Sequence, residues 1–302
     1  MSHSTHMRSS IGALVLLLSC FDNLVFGELS QDFSKCRNFF YKGTPPRGVN
    51  ALGYEPICQC FKNQFRFATM YQRQHRTPLY SAYVISSADE KSPLFKRPIS
   101  WMYEPQLAFS HGNTEMKTFD RLVDKNVMKS QAVPQDYKNS GYTRGHLNPS
   151  MHQNTRDDRV ATFTLTNIVP QRQDSNLELW KSWEENVLKM FKAFCEGPMY
   201  VITGVMPYAN GARWIKNRVY VPEYMWSAYC CPSYKAKLPL FPTYAAVGRN
   251  DRNSGEEIVP VNPNARTALR GYDVRMMPLN TLEGILAQRL NMPISLFEGR
   301  CQ

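Results

Sequence analysis

A helix with one apolar face, set among short segments that prolines keep from lengthening, constrains this chain more than any other feature. Leu177, Trp180, Trp183, Val187, Leu188 and Phe191 recur at helical spacing from Ser175 to about Phe194, ahead of Gly197-Pro198. Such a helix is stable only when its apolar stripe lies on another element. The surrounding sequence supplies strands for that purpose. Pro78 to Ile85 reads as one, and Thr162 to Ile168, alternating threonine with apolar residues, as another. Met199 to Val205 follows and stops at Pro207; Arg218 to Cys230 is broken by Pro222, and Lys237 to Val247 by Pro239 and Pro242. A late helix is expected from about Thr281 to Leu290, after Pro278. Residues 36–60, rich in Gly, Pro and Cys, read as a stapled loop, and residues 86–142 as polar and turn-rich. The economical fold is α+β, a mainly antiparallel central sheet flanked by helices.

No linker, repeat or low-complexity tract divides the chain. Its 302 residues are enough for one large core. Arg8 precedes an apolar run, Ile11 to Leu18, too short to span a bilayer, and Val25-Phe26-Gly27 suits a cleavage site. Residues 1–27 are therefore expected to be a signal peptide, and residues 28–302 one secreted, extracellular domain without a membrane anchor. Cysteine usage agrees. Cys36, Cys58, Cys60, Cys195, Cys230, Cys231 and Cys301 lie beyond the leader, singly or in close pairs, as disulfides of an oxidising compartment do. Cys58 and Cys60, and Cys230 and Cys231, are expected to bond to different partners. Seven is odd, so one thiol stays over or links two chains, and the oligomeric state is open. No Cys-x2-Cys pair is repeated, which argues against a zinc knuckle. A net charge of +11 attracts polyanions, although the same charge also serves plain solubility.

The chemistry-bearing stretch is Tyr142-Thr143-Arg144-Gly145-His146-Leu147-Asn148-Pro149, followed by Asn167, Asn176 and Glu184. By itself a histidine beside glycine is ordinary turn chemistry, the glycine explained by backbone freedom. Its companions change the weight. Asn167 falls on a predicted strand, Asn176 at the start of the helix, and Glu184 two turns further on. Helical side chains lean toward the N-terminus, so a long glutamate can reach back toward the helix start. Its face is nevertheless rotated by about 80° from that of Asn176 at α-helical pitch. Taken singly, Asn176 is more readily a helix cap and Glu184 a solvated residue than either is a site residue.

Arg144-Gly145-His146, then Thr166-Asn167-Ile168-Val169-Pro170-Gln171, then Asn176, Trp180 and Glu184 resemble the DNA/RNA non-specific endonucleases, which share a ββα-metal finger. The spacings match that pattern: 21 residues from His146 to Asn167, 30 to Asn176, and 8 from Asn176 to Glu184. Phe39-Phe40-Tyr41-Lys42-Gly43, Pro78-Leu79-Tyr80-Ser81-Ala82-Tyr83 and Trp101-Met102-Tyr103-Glu104-Pro105 are similar to the endonuclease domain-containing 1 group within that family. The likeness runs over roughly residues 36 to 290.

The resemblance implies a metal-dependent endonuclease that hydrolyses phosphodiester bonds of DNA or RNA without reading sequence. His146 would be the general base, near neutral pH mostly in its unprotonated form. Asn176 would hold Mg²⁺, or another divalent cation such as Mn²⁺, with Glu184 bonding a water of the hydrated ion. Asn167 would orient the base or the waters. Arg144 would contact phosphate through its planar fork, joined by Arg97 upstream. Two departures stand out. Thr143 occupies the place of the Asp that most members carry before Arg-Gly-His, and Leu188 the place of an arginine one turn after the glutamate. They favour the alternative reading, a secreted nucleic-acid or polyanion-binding protein on the same fold that has little or no catalysis.

Overall fold

The computed structural model describes residues 32–49, 53–87, 98, 100–235 and 238–302, so the expected signal peptide and Arg97 lie outside the described residues. Three successive strands, β1 (Tyr54–Cys60), β2 (Phe65–Gln72) and β3 (Thr77–Ile85), form an antiparallel meander. The chain then leaves the sheet and builds a separate two-stranded ribbon, β4 (Thr143–His146) with β5 (Ile168–Gln171). A π-helical turn, Ser175–Leu179, runs directly into helix α1 (Trp180–Phe194). The sheet resumes with β6 (Met199–Met206), β7 (Tyr224–Cys230), β8 (Thr243–Arg249) and β9 (Val274–Met277). Its order is β1-β2-β3-β6-β7-β8-β9, with every neighbouring pair antiparallel. Helix α2 (Leu279–Leu290) closes the fold against β8. The expected α+β class, with its antiparallel sheet and flanking helices, is what forms.

Helix α1 buries Trp180, Trp183, Val187 and Phe191 of the predicted stripe, with Leu188 partly buried, whereas Leu177, in the π turn, is exposed. Burying one such side chain contributes about 1.5–3 kcal/mol. Trp180 fits only because β8 carries a glycine beneath it. A Cβ on Gly248 would stand 2.7 Å from the indole Cε3. Every residue of β7 is buried, so both faces of the middle of the sheet are covered and the simple in-out alternation is lost there.

Three expectations need correction. Thr162 to Ile168 is not a strand: it contains a 3-10 turn, Leu165–Asn167, and β5 begins only at Ile168. Its alternating threonines are buried hydrogen-bonding groups rather than one face of a sheet. Thr162 donates to the Arg159 carbonyl at 2.8 Å, and Thr166 accepts from Gln59 Nε2 at 2.9 Å. The stapled loop is shorter than expected, since residues from Tyr54 onward are β1, and β2 has no counterpart among the expected strands. Pro222 does more than interrupt a strand. Val219–Val221 pairs with Arg213–Ile215 in a small hairpin, while β7 joins the main sheet.

Disulfides join Cys36 to Cys58, Cys195 to Cys231 and Cys230 to Cys301, so the neighbours at 230 and 231 do take different partners. The connection from β8 to β9 is organised by one side chain. Arg249 is fully buried and donates to the carbonyls of Val259 at 2.7 Å, Gly255 at 2.8 Å and Gly271 at 2.9 Å, and also to those of Arg252 and Ser254. Among the described residues no helix is long and apolar enough to cross a membrane.

Candidate active site

Two antiparallel strands followed by a helix bring the singled-out residues together. In the ribbon, Thr143 pairs with Gln171, Arg144 with Pro170, Gly145 with Val169 and His146 with Ile168. Strand alternation puts Arg144 and His146 on one face, and Thr143 and Gly145 on the other. Gly145 is not there for backbone freedom. A Cβ at this position would lie 2.3 Å from Gln171 Oε1 and 2.8 Å from Gln171 Cβ, so close cross-strand packing excludes any side chain.

A cavity of about 690 Å³ is lined by Arg144, His146, Asn176 and Glu184, together with Thr143 and Trp101. Four of the six residues singled out from the sequence therefore share one space. Trp101 organises the first two. The His146 ring lies 5.7 Å from the Trp101 ring and meets Phe163 edge-on at 5.0 Å. The Arg144 guanidinium sits 5.0 Å over Trp101 and 5.3 Å over Tyr137, and donates to the Pro134 carbonyl at 3.2 Å. Each aromatic face of this kind stabilises a cation by about 0.5–2 kcal/mol and holds a flexible arginine in one plane.

Asn176 does not cap the helix. It lies inside the π turn, and its backbone N–H donates to the Arg172 carbonyl at 2.9 Å. An i→i+5 turn advances each residue by less than the α-helical angle, which narrows the offset of about 80° expected between Asn176 and Glu184. Both side chains consequently face the same cavity. Asn176 Nδ2 donates to Thr143 Oγ1 at 2.9 Å. Glu184 flanks the apolar stripe of α1. Burial pushes its carboxyl up to about 8, helped by Glu185 and opposed by Lys181.

Asn167 lies under the cavity rather than in its wall. It is fully buried, with all four side-chain hydrogen-bonding positions filled. Its Oδ1 accepts from Ser81 Oγ and from the Asn148 N–H, both at 2.9 Å; its Nδ2 donates to the carbonyls of Asn148 and Thr162, both at 3.0 Å. These bonds hold the chain two residues beyond His146 and tie it to β3.

Two further residues carry no sequence signal. His152 is 3% exposed, with Nδ1 3.0 Å from the Tyr83 hydroxyl and Nε2 2.8 Å from the Glu184 backbone carbonyl. It fixes α1 at the residue whose carboxyl reaches the cavity. Asn250 donates to the carbonyls of Pro170 and Pro222 at 2.9 and 2.8 Å and accepts from the Arg172 N–H at 2.9 Å, which fastens the ribbon to the main sheet.

A family profile described as DNA/RNA non-specific endonuclease matches residues 52–289. The human Endonuclease domain-containing 1 protein is 33% identical over 227 residues, covering 74% of this chain and 44% of its own length. The chain thus spans less than half the length of that relative. A protein named nuclease from Nostoc sp. is 27% identical over 159 residues, 51% of this chain and 53% of its own. Among solved structures, a crystal structure of an EndoG/EndoGI complex aligns with 74% of this chain and 81% of that one, at a TM-score of 0.49 and 17% identity. With a profile match that extends from β1 into α2, the chain belongs to the DNA/RNA non-specific endonuclease family.

Proposed function

We propose that this protein is a secreted, metal-dependent endonuclease that hydrolyses phosphodiester bonds of DNA or RNA without sequence preference. The observation that carries the reading is one cavity shared by a histidine packed against two aromatic rings, an arginine over a tryptophan ring, an amide and a carboxyl group. His146 takes the proton from the attacking water, its ring orientation restricted by Trp101 and Phe163. Arg144 engages two phosphate oxygens with its planar fork, held over the Trp101 ring.

Among the described residues no cluster of three His, Cys, Asp or Glu side chains could hold a metal. A hydrated hard cation suits this donor set. Mg²⁺ keeps several waters and uses few protein oxygens, and the same holds for Mn²⁺ in oxygen-rich sites. Asn176 would hold it through Oδ1, and Glu184 through a hydrogen bond from one of its waters. When bound, the cation neutralises phosphate charge and stabilises the leaving oxygen. Asn167 keeps the loop after His146 in place beneath the base. Contacts confined to phosphate read no sequence, and the +11 charge adds salt-sensitive affinity, with Arg97 as a further phosphate contact. Three disulfides support export to an oxidising compartment.

The test is plasmid DNA and RNA incubated with the protein, with Mg²⁺ or with chelator, beside His146→Ala and Asn176→Ala. Metal-dependent nicking that disappears in both variants is expected. Tight, salt-sensitive binding without cleavage would assign the chain to a binding role, and cleavage that survives His146→Ala would remove His146 as the base.

A further inference from the structure

Resting on the reading of Asn176 as a metal ligand, we infer that Thr143 fixes the Asn176 amide with its oxygen toward the cavity, so that ligation depends on a hydrogen-bond acceptor at position 143 and not on a negative charge there. An asparagine side chain has two nearly isosteric orientations, related by exchange of oxygen and nitrogen. Shape does not choose between them, and only the hydrogen-bond partners do. The wrong choice at this position would aim two N–H protons at a cation.

The hydroxyl of Thr143 lies 2.9 Å from the Gln171 backbone carbonyl and 2.9 Å from Asn176 Nδ2. A carbonyl accepts and cannot donate, so the one hydroxyl proton is committed to Gln171. Toward Asn176 the hydroxyl then offers only lone pairs. It bonds the amide N–H₂ and repels the amide oxygen. Gln171 is itself held in place. It is the cross-strand partner of Thr143, it is fully buried, and its own Nε2 donates to Ser175 Oγ at 3.2 Å. The order Gln171 carbonyl, Thr143 hydroxyl, Asn176 amide therefore has a fixed direction and ends with Oδ1 facing the cavity. An aspartate in place of Thr143 would likewise be an acceptor for Nδ2, and would add a charge beside the ion. In this chain the orienting function is kept by a neutral group.

The test uses Mn²⁺ alone, without nucleic acid, with affinity read by electron paramagnetic resonance in the wild type, Asn176→Ala, Thr143→Val and Thr143→Ser. Thermal melts of each variant establish that the fold is kept. Thr143→Val, which keeps the shape and removes the hydroxyl, is expected to weaken Mn²⁺ binding by about 10-fold or more, the usual scale for losing a group that orients a ligand. Thr143→Ser, which keeps the hydroxyl, is expected to restore it. If Asn176→Ala weakens binding while Thr143→Val does not, the inference is overturned and the ligand role of Asn176 stands. If Thr143→Ser binds as poorly as Thr143→Val, packing of the methyl group is responsible and the inference is again overturned. If Asn176→Ala binds Mn²⁺ like the wild type, the ligand reading itself falls, and the inference with it.

Discussion

Acid should loosen this protein at His152 before it reaches most of its carboxylates. The imidazole is buried with both nitrogens in hydrogen bonds, and the carbonyl of Glu184 requires the proton to sit on Nε2. Burial pulls its pKa down to about 4, against a smaller upward pull from that carbonyl. In the unfolded chain the same group titrates near its ordinary value of about 6.5. Because the folded value is the lower one, the unfolded chain binds the proton first as pH falls. The stabilising contribution is complete above about pH 6.5, declines between about 6.5 and 4, and is gone below that window. The gap corresponds to about 3 kcal/mol, a large fraction of the 5–15 kcal/mol typical of a folded domain. Urea unfolding at pH 7 and pH 4.5 should therefore show the wild type losing about 2–3 kcal/mol more than His152→Gln, which has no titrating ring. Parallel losses in the two proteins would refute the argument, since the pH dependence would then come from other groups.

Three further outcomes follow from the site. With Glu184 raised to about 8, Mn²⁺ affinity should climb with pH to about 8 and level off above it, because the cation favours the ionised carboxylate; Glu184→Gln should flatten the curve in calorimetric titrations. Gly145→Ala forces a methyl group against Gln171 and should cost about 1–3 kcal/mol, seen as a lower urea midpoint. Arg144→Lys keeps the charge but loses the guanidinium fork held over Trp101 and Tyr137. It should lower kcat/KM for plasmid cleavage by about 10-fold or more, with little change in melting temperature.

The parts legible in the sequence share a physical trait: their information is local. The apolar stripe of α1 sits within fifteen residues, so its period survives in the sequence and its end near Phe194 can be read directly. Strands β3 and β6 carry mostly apolar runs closed by turn residues, and they appear where those runs lie. That His146, Asn176 and Glu184 share one cavity is legible only through the family resemblance, whose pattern rests on one ribbon and one helix carrying all three at set intervals. What could not be read depends on distant partners. Asn250 resembles any polar loop residue until Pro170 and Pro222 are folded around it. His152 has no neighbour in sequence that explains it, since Tyr83 and the Glu184 carbonyl arrive from other elements. Thr164 and Thr166 imitate a two-faced strand because buried threonines satisfied by Glu104 and Gln59 are as well hidden as the apolar residues between them. The π turn leaves no trace at all in the spacing, yet it turns Asn176 and Glu184 toward the same cavity.

The guanidinium of Arg249 bears on how this surface can diversify. Every acceptor it uses in the segment between β8 and β9 is a main-chain oxygen, and main-chain oxygens are common to all residue types. The path of the segment therefore draws little on the side chains it displays, apart from Gly271, whose positive φ and closeness to Arg252 suit only glycine. That segment reaches the π turn, where Arg266 forms an ion pair with Glu178. Descendants of this chain, or a designer, can rewrite the outward-facing residues there while the backbone keeps its course. The freedom ends at position 249 itself, where no other natural side chain can address five carbonyls at once.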